Sequence, residues 1–368
     1  MVYFTNIKSL SMKKIVSVVG ARPQFVKAAA VSRQWAQHAE VQEVIVHTGQ
    51  HFDDNMSELF FREMSIPQPK YNLGVNKLEH YNMTTLMMER LEPVLQEEQP
   101  DFVVVFGDTN STLAGARTAQ KLGLKLAHVE AGLRSFNNAM PEEYNRIQTD
   151  RLSDVLFCPT QTAVDNLRKE GVKAAQQQVV LCGDVMYDAA LFYAPSAQKP
   201  QVNLASEFLL ASVHRAENTN NAAVLTSIFA ALEEVSHQCQ VVLPLHPRTR
   251  LKLEELNYDF AHSKITFIDP VGYFEMLYLL QHCRLVMTDS GGLQKEAYFF
   301  GKQCVTLRNE TEWVELVQHG VNVLAGTEKD QIISCVRESL SQQHAFPTAL
   351  YGDGHAAAKI TKALLSLM

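Results

Sequence analysis

The sequence predicts an α/β protein of two domains, each an alternation of strands and helices. Three observations carry that reading. Short runs rich in β-branched residues recur along both halves, and a helical pattern follows most of them. Glycines or polar residues sit just past the ends of those runs, where open α/β sheets present ligand-binding groups. The chain has 368 residues, more than a single core usually organises. A Pro/Gln/Ser-rich, weakly patterned stretch at 194–203 marks the boundary. The domains are then expected at 12–190 and 200–350, with a closing segment at 351–368.

Composition narrows the functional classes. The chain is 46% hydrophobic and 20% charged, with a net charge of −7, and its pI is about 6.0. That balance argues against a nucleic-acid partner held by a general basic surface. No apolar run reaches the length of a membrane span, so no membrane partner is expected. Residues 1–14 lack a long apolar region, and Met12 offers an alternative start that leaves 1–11 as a loose extension. Cys158, Cys182, Cys239, Cys283, Cys304 and Cys335 form no CxxC pair. Buried free thiols in a reducing, cytoplasmic setting are expected, and no metal site.

The first strand is read at 15–19 and stops at Gly20. Pro23 near the start of an alanine-rich pattern then indicates a helix. Arg22 and Lys27 lie near its start, and two cations at a strand's C-terminal edge fit an anionic ligand better than a solvated face. The second strand, 41–47, leads to Gln50-His51 and then a helix capped by Asp54 or Asn55. Met56, Leu59, Phe60 and Met64 give that helix a core face. Residues 72–79 are polar and loop-like, and 80–97 is an amphipathic helix.

The strand at 102–106 ends in Gly107-Asp108-Thr109. Asp108 is either the N-cap of the next helix or a catalytic group at a strand end, and the two roles are compatible. A strand at 125–129 ends in Glu130, and Pro141 opens a helix whose first turn carries Glu142 and Glu143. The acids can simply complement the helix dipole. In a doubly wound sheet, however, Asp108, Glu130 and Glu142 converge on one edge and form an acid/base set. Strands at 155–158 and 179–182 flank a helix at 161–170, and a new segment begins at Gly183.

The second half repeats the pattern. Strands at 208–213 and 240–245 end in His214-Arg215 and His246-Pro247-Arg248. Two histidines in equivalent strand-end positions, each near an arginine, favour function over packing. Helices follow at 222–236 and after Tyr273-Phe274, which succeed a strand at 266–268. A strand at 284–287 enters Asp289-Ser290-Gly291-Gly292, and 293–300 has helical spacing. A strand, a small-residue turn and a helix start can bind a phosphate, the glycines allowing close backbone approach. The alternative is a tight turn with Ser290 as N-cap. Glu296 lies one turn into this helix, in reach of ribose hydroxyls. Strands at 304–307, ending at Arg308, and 324–325, with helices at 329–342 and 354–365, complete the chain. No GxGxxG turn or Walker loop occurs, so a nicotinamide cofactor is disfavoured and no cofactor is expected. Two such domains facing one another would place a cleft between their strand ends.

The motifs GARPQFVK, VHTGQH, GDTNSTL, HVEAGLRS, PEEYNR, SVHRAEN, PLHPRT, TDSGGLQKEA and LRNETEWVE together resemble the non-hydrolysing UDP-N-acetylglucosamine 2-epimerases. The resemblance spans about residues 14–345. It implies the GT-B architecture of two Rossmann-like domains, with the final helix crossing back to the first domain, and a homodimer. It implies inversion at C2 of a UDP-2-acetamido sugar. UDP is eliminated to give a bound 2-acetamidoglucal, then re-added. By motif, Arg22, Lys27, Asp108, Glu130, Glu142 and His214 match active-site positions. Asp108, Glu130 and Glu142 are the proton-transfer candidates, and Lys27 and His214 would stabilise the diphosphate or orient the sugar. Ser290, Gly291 and Gly292 match the phosphate turn, Glu296 the ribose contact, and Tyr273 and Phe274 the uracil site. Arg215, His246 and Arg308 are further substrate-binding candidates.

Departures from the common pattern resemble a subgroup acting on UDP-2,3-diacetamido-glucuronate and related surface-polysaccharide precursors. Gln24 stands where glutamate is common, and Phe52-Asp53 follow the Gln50-His51 pair that elsewhere serves a second, regulatory ligand. No arginine in 72–77 matches that second site, the 130–142 loop is short, and Lys295 replaces a frequent acid. A GT-B glycosyltransferase, a non-catalytic nucleotide-sugar sensor and a hydrolysing epimerase are the rival readings. The three convergent acids argue for proton chemistry over glycosyl transfer.

Overall fold

The computed structural model describes residues 12–50, 64, 66–76, 80–137, 139–172, 176–342 and 345–368, without the side chains of Arg22, His80 and Tyr81. The expected helix after Gln50, with its Asp54 or Asn55 cap and Met56, Leu59 and Phe60, lies outside the described residues, as do residues 1–11, His51, Phe52 and Asp53. The chain divides into two compact units. Unit 1 comprises Met1–Ala189 and Tyr351–Met368, and unit 2 comprises Ala190–Leu350.

Unit 1 is built on a seven-stranded sheet ordered β3-β2-β1-β4-β5-β6-β7. The strands are β1 (Lys13–Val19), β2 (Val41–His47), β3 (Tyr71–Asn72), β4 (Phe102–Phe106), β5 (Leu126–Val129), β6 (Val155–Cys158) and β7 (Gln178–Leu181). Every pairing is parallel. The sequence Phe-Val-Val-Val-Phe of β4 is buried throughout. Such an unbroken apolar run needs cover on both sheet faces, which parallel crossovers provide. The covering helices are α1 (Arg22–Trp35), α2 (His80–Glu98), α3 (Asn110–Lys121), α4 (Pro141–Leu152), α5 (Gln161–Lys169) and α14 (Ala356–Leu367). α3 owes its close seat to small residues, with Ser111, Ala114, Ala116 and Ala119 all buried. Helix α14 packs on α1. Its first N–H groups, those of Ala356 and Ala357, donate to the two carboxylate oxygens of Asp188 at 3.0 and 2.8 Å.

Unit 2 repeats the plan with six strands ordered β10-β9-β8-β11-β12-β13. They are β8 (Phe208–Ser212), β9 (Gln240–Pro244), β10 (Thr266–Ile268), β11 (Leu285–Thr288), β12 (Gln303–Thr306) and β13 (Asn322–Leu324). Its helices include α8 (Ala222–Ser236), α10 (Tyr273–His282), α11 (Gly291–Phe299) and α13 (Lys329–Ser341). α6 (Val185–Tyr193), α7 (Ala216–Thr219), α9 (Pro247–Glu255) and α12 (Val314–Gln318) are the remaining α-helices among the described residues. Counted from its own first strand, the unit 2 sheet runs 3-2-1-4-5-6 and the unit 1 sheet runs the same with a seventh strand at its end. This is the Rossmann order, in which ligands bind where the winding reverses. In unit 1 that point lies past β1 and β4, and in unit 2 past β8 and β11.

Candidate active site

At the switch point of unit 1, β4 runs out into Gly107 with φ +64°, and Asp108 follows. Asp108 is not the helix cap: Thr109 caps α3, its hydroxyl accepting from the Thr112 N–H at 3.3 Å. Asp108 is thereby free for other work. Its Oδ2 meets Nη2 of Arg146 at 2.5 Å, with the arginine side chain 5% exposed and the aspartate 26%. Asn145 donates from Nδ2 to the Asp108 carbonyl at 2.9 Å. Both anchoring residues come from α4.

Glu130 follows β5 with φ +73°, a left-handed conformation that costs a non-glycine residue about 1–2 kcal/mol. Its Oε1 meets Nζ of Lys27, from α1, at 2.6 Å, and both side chains are under a tenth exposed. A Cβ at Gly107 would come within 2.9 Å of that same Nζ. The ammonium therefore fills the space that the missing side chain leaves. The strand-end Glu130 and Lys27 of α1 are thus brought into direct contact.

The paired acids that open α4 part company. Glu143 is buried and accepts from the N–H groups of Ser135 and Phe136, at 2.9 and 3.0 Å, and from Arg146 at 3.1 Å. It ties the 135–140 loop to the Asp108 anchor. Glu142 is half-buried. Phe136 is 70% exposed with φ +58°. Arg22 opens α1, but its side chain lies outside the described residues. Gln24 is fully buried. Its Oε1 accepts from the N–H groups of Gly20 and Ala21, and its Nε2 donates to the Phe106 carbonyl and to Thr112. That residue staples the β1 and β4 turns together, so its amide has a structural use. Gln50 accepts at Oε1 from the N–H and hydroxyl of Ser111, at 3.1 and 2.8 Å.

In unit 2 the switch point is held by Asp289, which is fully buried. It accepts from the N–H groups of His214 and Arg215, at 3.1 and 3.0 Å, and from Asn218 Nδ2 at 3.0 Å. The β8 turn is thus fastened to the β11 turn. The His214 side chain is 37% exposed and its ring stacks on His246 with centroids 5.6 Å apart. Burial pushes the His214 pKa below its ordinary value, and Arg215 and Arg248 add to the effect against the pull of Asp289. His214 therefore favours the neutral imidazole. His246 is exposed and caps α9, accepting from the Arg248 N–H at 3.2 Å.

Ser290 is the N-cap of α11, its hydroxyl accepting from the Leu293 N–H, and the helix start directs its remaining N–H groups and the positive end of its dipole outward. The glycine at 291 has a steric cause in the structure itself. A Cβ there would sit 2.3 Å from Oε1 of Glu312. Glu312 is buried, meets Arg308 at 3.1 Å and faces Arg215 at 3.9 Å. Two guanidiniums and the Gly291 turn thus crowd one carboxylate. Glu296 is buried on α11. Lys295 is buried too, with Nζ 4.1 Å above the Trp313 ring. Tyr273 and Phe274 open α10 and cluster with Tyr193, at centroid distances of 6.1 and 5.7 Å. Among the described residues no group of three or more His, Cys, Asp or Glu could hold a metal ion, and no helix is long and apolar enough to cross a membrane.

Arg146, Glu143, Asp289 and Glu312 were not singled out from the sequence. Each is a charged residue whose partner lies on another element. The one available signal was position, since all four fall inside motifs that also carry expected site residues.

Two parallel sheets, each in Rossmann order and each with charged groups gathered at its switch point, define an α/β protein of the two-Rossmann, GT-B type. The chain belongs to the UDP-N-acetylglucosamine 2-epimerase family, whose model matches residues 33–365. It is 52% identical over 357 residues to a UDP-2,3-diacetamido-2,3-dideoxy-D-glucuronate 2-epimerase of Pseudomonas aeruginosa, covering 96% of this chain and 100% of that protein. It is 38% identical over 358 residues to a UDP-N-acetylglucosamine 2-epimerase of Methanococcus maripaludis, covering 94% and 96% of the two chains. The crystal structure of Methanocaldococcus jannaschii UDP-GlcNAc 2-epimerase in complex with UDP-GlcNAc and UDP is similar, with a TM-score of 0.90 and 37% identity over 96% of this chain and 99% of that one.

Proposed function

We propose that this protein inverts C2 of UDP-2,3-diacetamido-2,3-dideoxy-glucuronate without hydrolysing it. The observation that carries the choice of sugar is the 52% identity, along the whole length, to a relative of that specificity. Relatives named for UDP-N-acetylglucosamine 2-epimerase, or as its homolog, stand at 38% and 44%. In the reaction a carboxylate takes the C2 proton while the C1–O bond breaks, its electron pair leaving on UDP. A C1=C2 double bond results. UDP oxygen then re-adds at C1 as a second acid delivers a proton to the opposite face of C2. No electrons are gained or lost overall, so no cofactor is required.

Asp108, Glu130 and Glu142 are assigned the proton transfers. Asp108 and Glu130 are supported by their strand-end positions and by the cations that hold them, and Glu142 by its place on the first turn of α4. Lys27 orients Glu130. Ser290, Gly291 and Gly292, with Arg215 and Arg308, are assigned to the diphosphate, where a helix end and two guanidiniums suit an anion that must leave and be kept. Arg22, His214 and His246 are assigned to the same anion and the sugar. Tyr273 and Phe274 are assigned to uracil and Glu296 to ribose. On the family's pattern the chain works as a homodimer in the cytoplasm.

A second reading, UDP-N-acetylglucosamine as substrate, is favoured by the likeness to the Methanocaldococcus jannaschii enzyme. Proton NMR in heavy water with each sugar nucleotide separates the two. Deuterium entering C2 of the diacetamido-uronate, with the manno epimer appearing, is the expected result. Exchange with the N-acetylglucosamine compound alone would reverse the choice, and exchange with neither would refute both. Light scattering of the purified protein tests the dimer.

A further inference from the structure

One buried carboxylate of unit 1 holds two turns at once. Asp150, on α4, is 1% exposed. Its Oδ1 lies 2.7 Å from Nδ1 of His128 on β5, whose Nε2 lies 2.7 Å from the carbonyl oxygen of Gly107. Its Oδ2 accepts from the Gly132 N–H at 3.1 Å and faces Nη1 of Arg134 at 2.8 Å. Gly107 directly precedes Asp108, and Gly132 follows Glu130 by two positions. Each oxygen of Asp150 is therefore tied to a turn that bears a different carboxylate.

The donor pattern leaves the link no slack. A carbonyl oxygen only accepts, so Nε2 of His128 donates to Gly107. Burial pushes the Asp150 carboxyl up, but His128 and Arg134 outweigh that and hold it below the usual carboxylate range. An ionised Asp150 only accepts, so Nδ1 of His128 donates as well. Arg134 is itself gripped from outside by both oxygens of Glu170, at 2.6 and 2.8 Å. Ordinary sheet packing does not call for such a cluster. A buried ionic group of this kind is no more stabilising than apolar side chains of the same volume. What it adds is a fixed placement of two turns whose residues 107 and 130 both hold left-handed backbone.

We infer that His128 and Asp150 are positioning residues for the proton transfers at C2, setting the placement of the Asp108 and Glu130 carboxylates relative to one another. The inference rests on the 2-epimerase reading. Failure of that reading would show in the unaltered protein, which would then turn over neither sugar nucleotide. The inference is tested only by variants measured against it.

The test uses the full chain and whichever UDP-sugar it converts, with hydrogen or deuterium at C2. It measures kcat, KM, the primary isotope effect on kcat and the melting temperature. His128→Asn keeps a donor towards Asp150 but falls short of the Gly107 carbonyl, and His128→Gln reaches that carbonyl. In His128→Asn and Asp150→Asn, kcat is expected to fall roughly 10- to 100-fold, the scale of a misplacement of about 1 Å. KM should stay within about threefold, because binding the nucleotide is not what changes. The isotope effect should rise above that of the unaltered protein as proton abstraction becomes more limiting, and His128→Gln should recover most of the rate. A purely structural network predicts otherwise. The rate would then follow the folded fraction with an unchanged isotope effect, the two His128 variants would behave alike, or none of the three would fold. Any of these results overturns the inference.

Discussion

Replacing Gly107 with alanine adds one methyl group at the point where Lys27 reaches Glu130. Two costs follow, and they can be separated. The backbone cost comes from φ +64°, which an L side chain adopts at about 1–2 kcal/mol. Gly123 has φ +66°, and a Cβ there would meet nothing within 4 Å, so Gly123→Ala carries the backbone cost alone. The second cost belongs to Gly107 only. Its new Cβ would lie 2.9 Å from Lys27 Nζ, and the ammonium must retreat by about 0.8 Å to reach ordinary contact. With the Lys27–Glu130 distance now 2.6 Å, a retreat to about 3.4 Å forfeits about 1.5 kcal/mol of attraction at an effective dielectric of about 20. If Glu130 needs that placement, the loss appears as about a tenfold fall in kcat. Thermal melts should show a loss of stability for both variants, the larger for Gly107→Ala, and the C2-exchange assay should show the rate loss for Gly107→Ala alone. A Gly107→Ala enzyme within about twofold of Gly123→Ala would refute the idea that the Lys27–Glu130 contact matters to turnover.

Other expectations can be checked in parallel. Asp108→Asn and Glu130→Gln should each retain UDP binding by calorimetry while kcat falls by roughly 100-fold or more; near-normal turnover in both would remove them from the acid/base set. Phe136→Gly relieves a left-handed aromatic residue that is 70% exposed, and denaturant melts should show a gain of about 0.5–1 kcal/mol. A loss instead would mean that the ring packs in solution. Burial raises the Glu43 pKa to about 7, despite the Ser17 hydroxyl that donates to its Oε1 at 2.6 Å. The folded chain therefore holds this proton more tightly than the unfolded one. The stabilisation is complete below about pH 4.5 and is lost as pH rises through about 7. The full shift corresponds to about 3 kcal/mol, and the partial exposure of the residue reduces that to about 1–2 kcal/mol. Glu43→Gln should accordingly raise stability above pH 7 and change little at pH 4.5, and a pH-independent effect would contradict the linkage. Asp289→Ala strands the N–H groups of His214 and Arg215 and removes one of the two bonds that Asn218 Nδ2 donates. It should lower stability by about 2–4 kcal/mol, which a calorimetric melt would register.

The alternation of strand and helix was readable because buried parallel strands are local, near-continuous apolar runs. The run at 102–106 coincides with β4, and 41–47 with β2. Helix α9 was not read: Pro-Arg-Thr-Arg-Leu-Lys-Leu-Glu-Glu has no clear apolar stripe, although Pro247 after a capping histidine was a usable start signal. α6 and the one-turn α7 were missed for the same want of pattern. At the site, Lys27, Asp108 and Glu130 were legible because strand-end charges are local to the motif. Their pairings were not. Asp289 reaches back to His214 across 75 positions, and Arg146 reaches Asp108 across 38. A separation of that kind is settled only by strand order. Gln24, read as one of the departures that mark the subgroup, has in addition a use the sequence did not reveal, as the staple between the β1 and β4 turns.

The carboxylate of Asp188 carries a further implication for how the chain matures. It closes the start of a helix that lies 168 positions later, with the whole of unit 2, Ala190–Leu350, in between. Unit 1 is therefore interrupted: its opening 189 residues wait for Tyr351–Met368 to complete them. During synthesis unit 2 emerges as one continuous stretch and can close on itself, whereas the earlier unit remains open beside it until the last helix leaves the ribosome. Contacts so distant in sequence form slowly, and the chain exposes apolar surface meanwhile. The face of α1 that receives α14 stays uncovered for that interval.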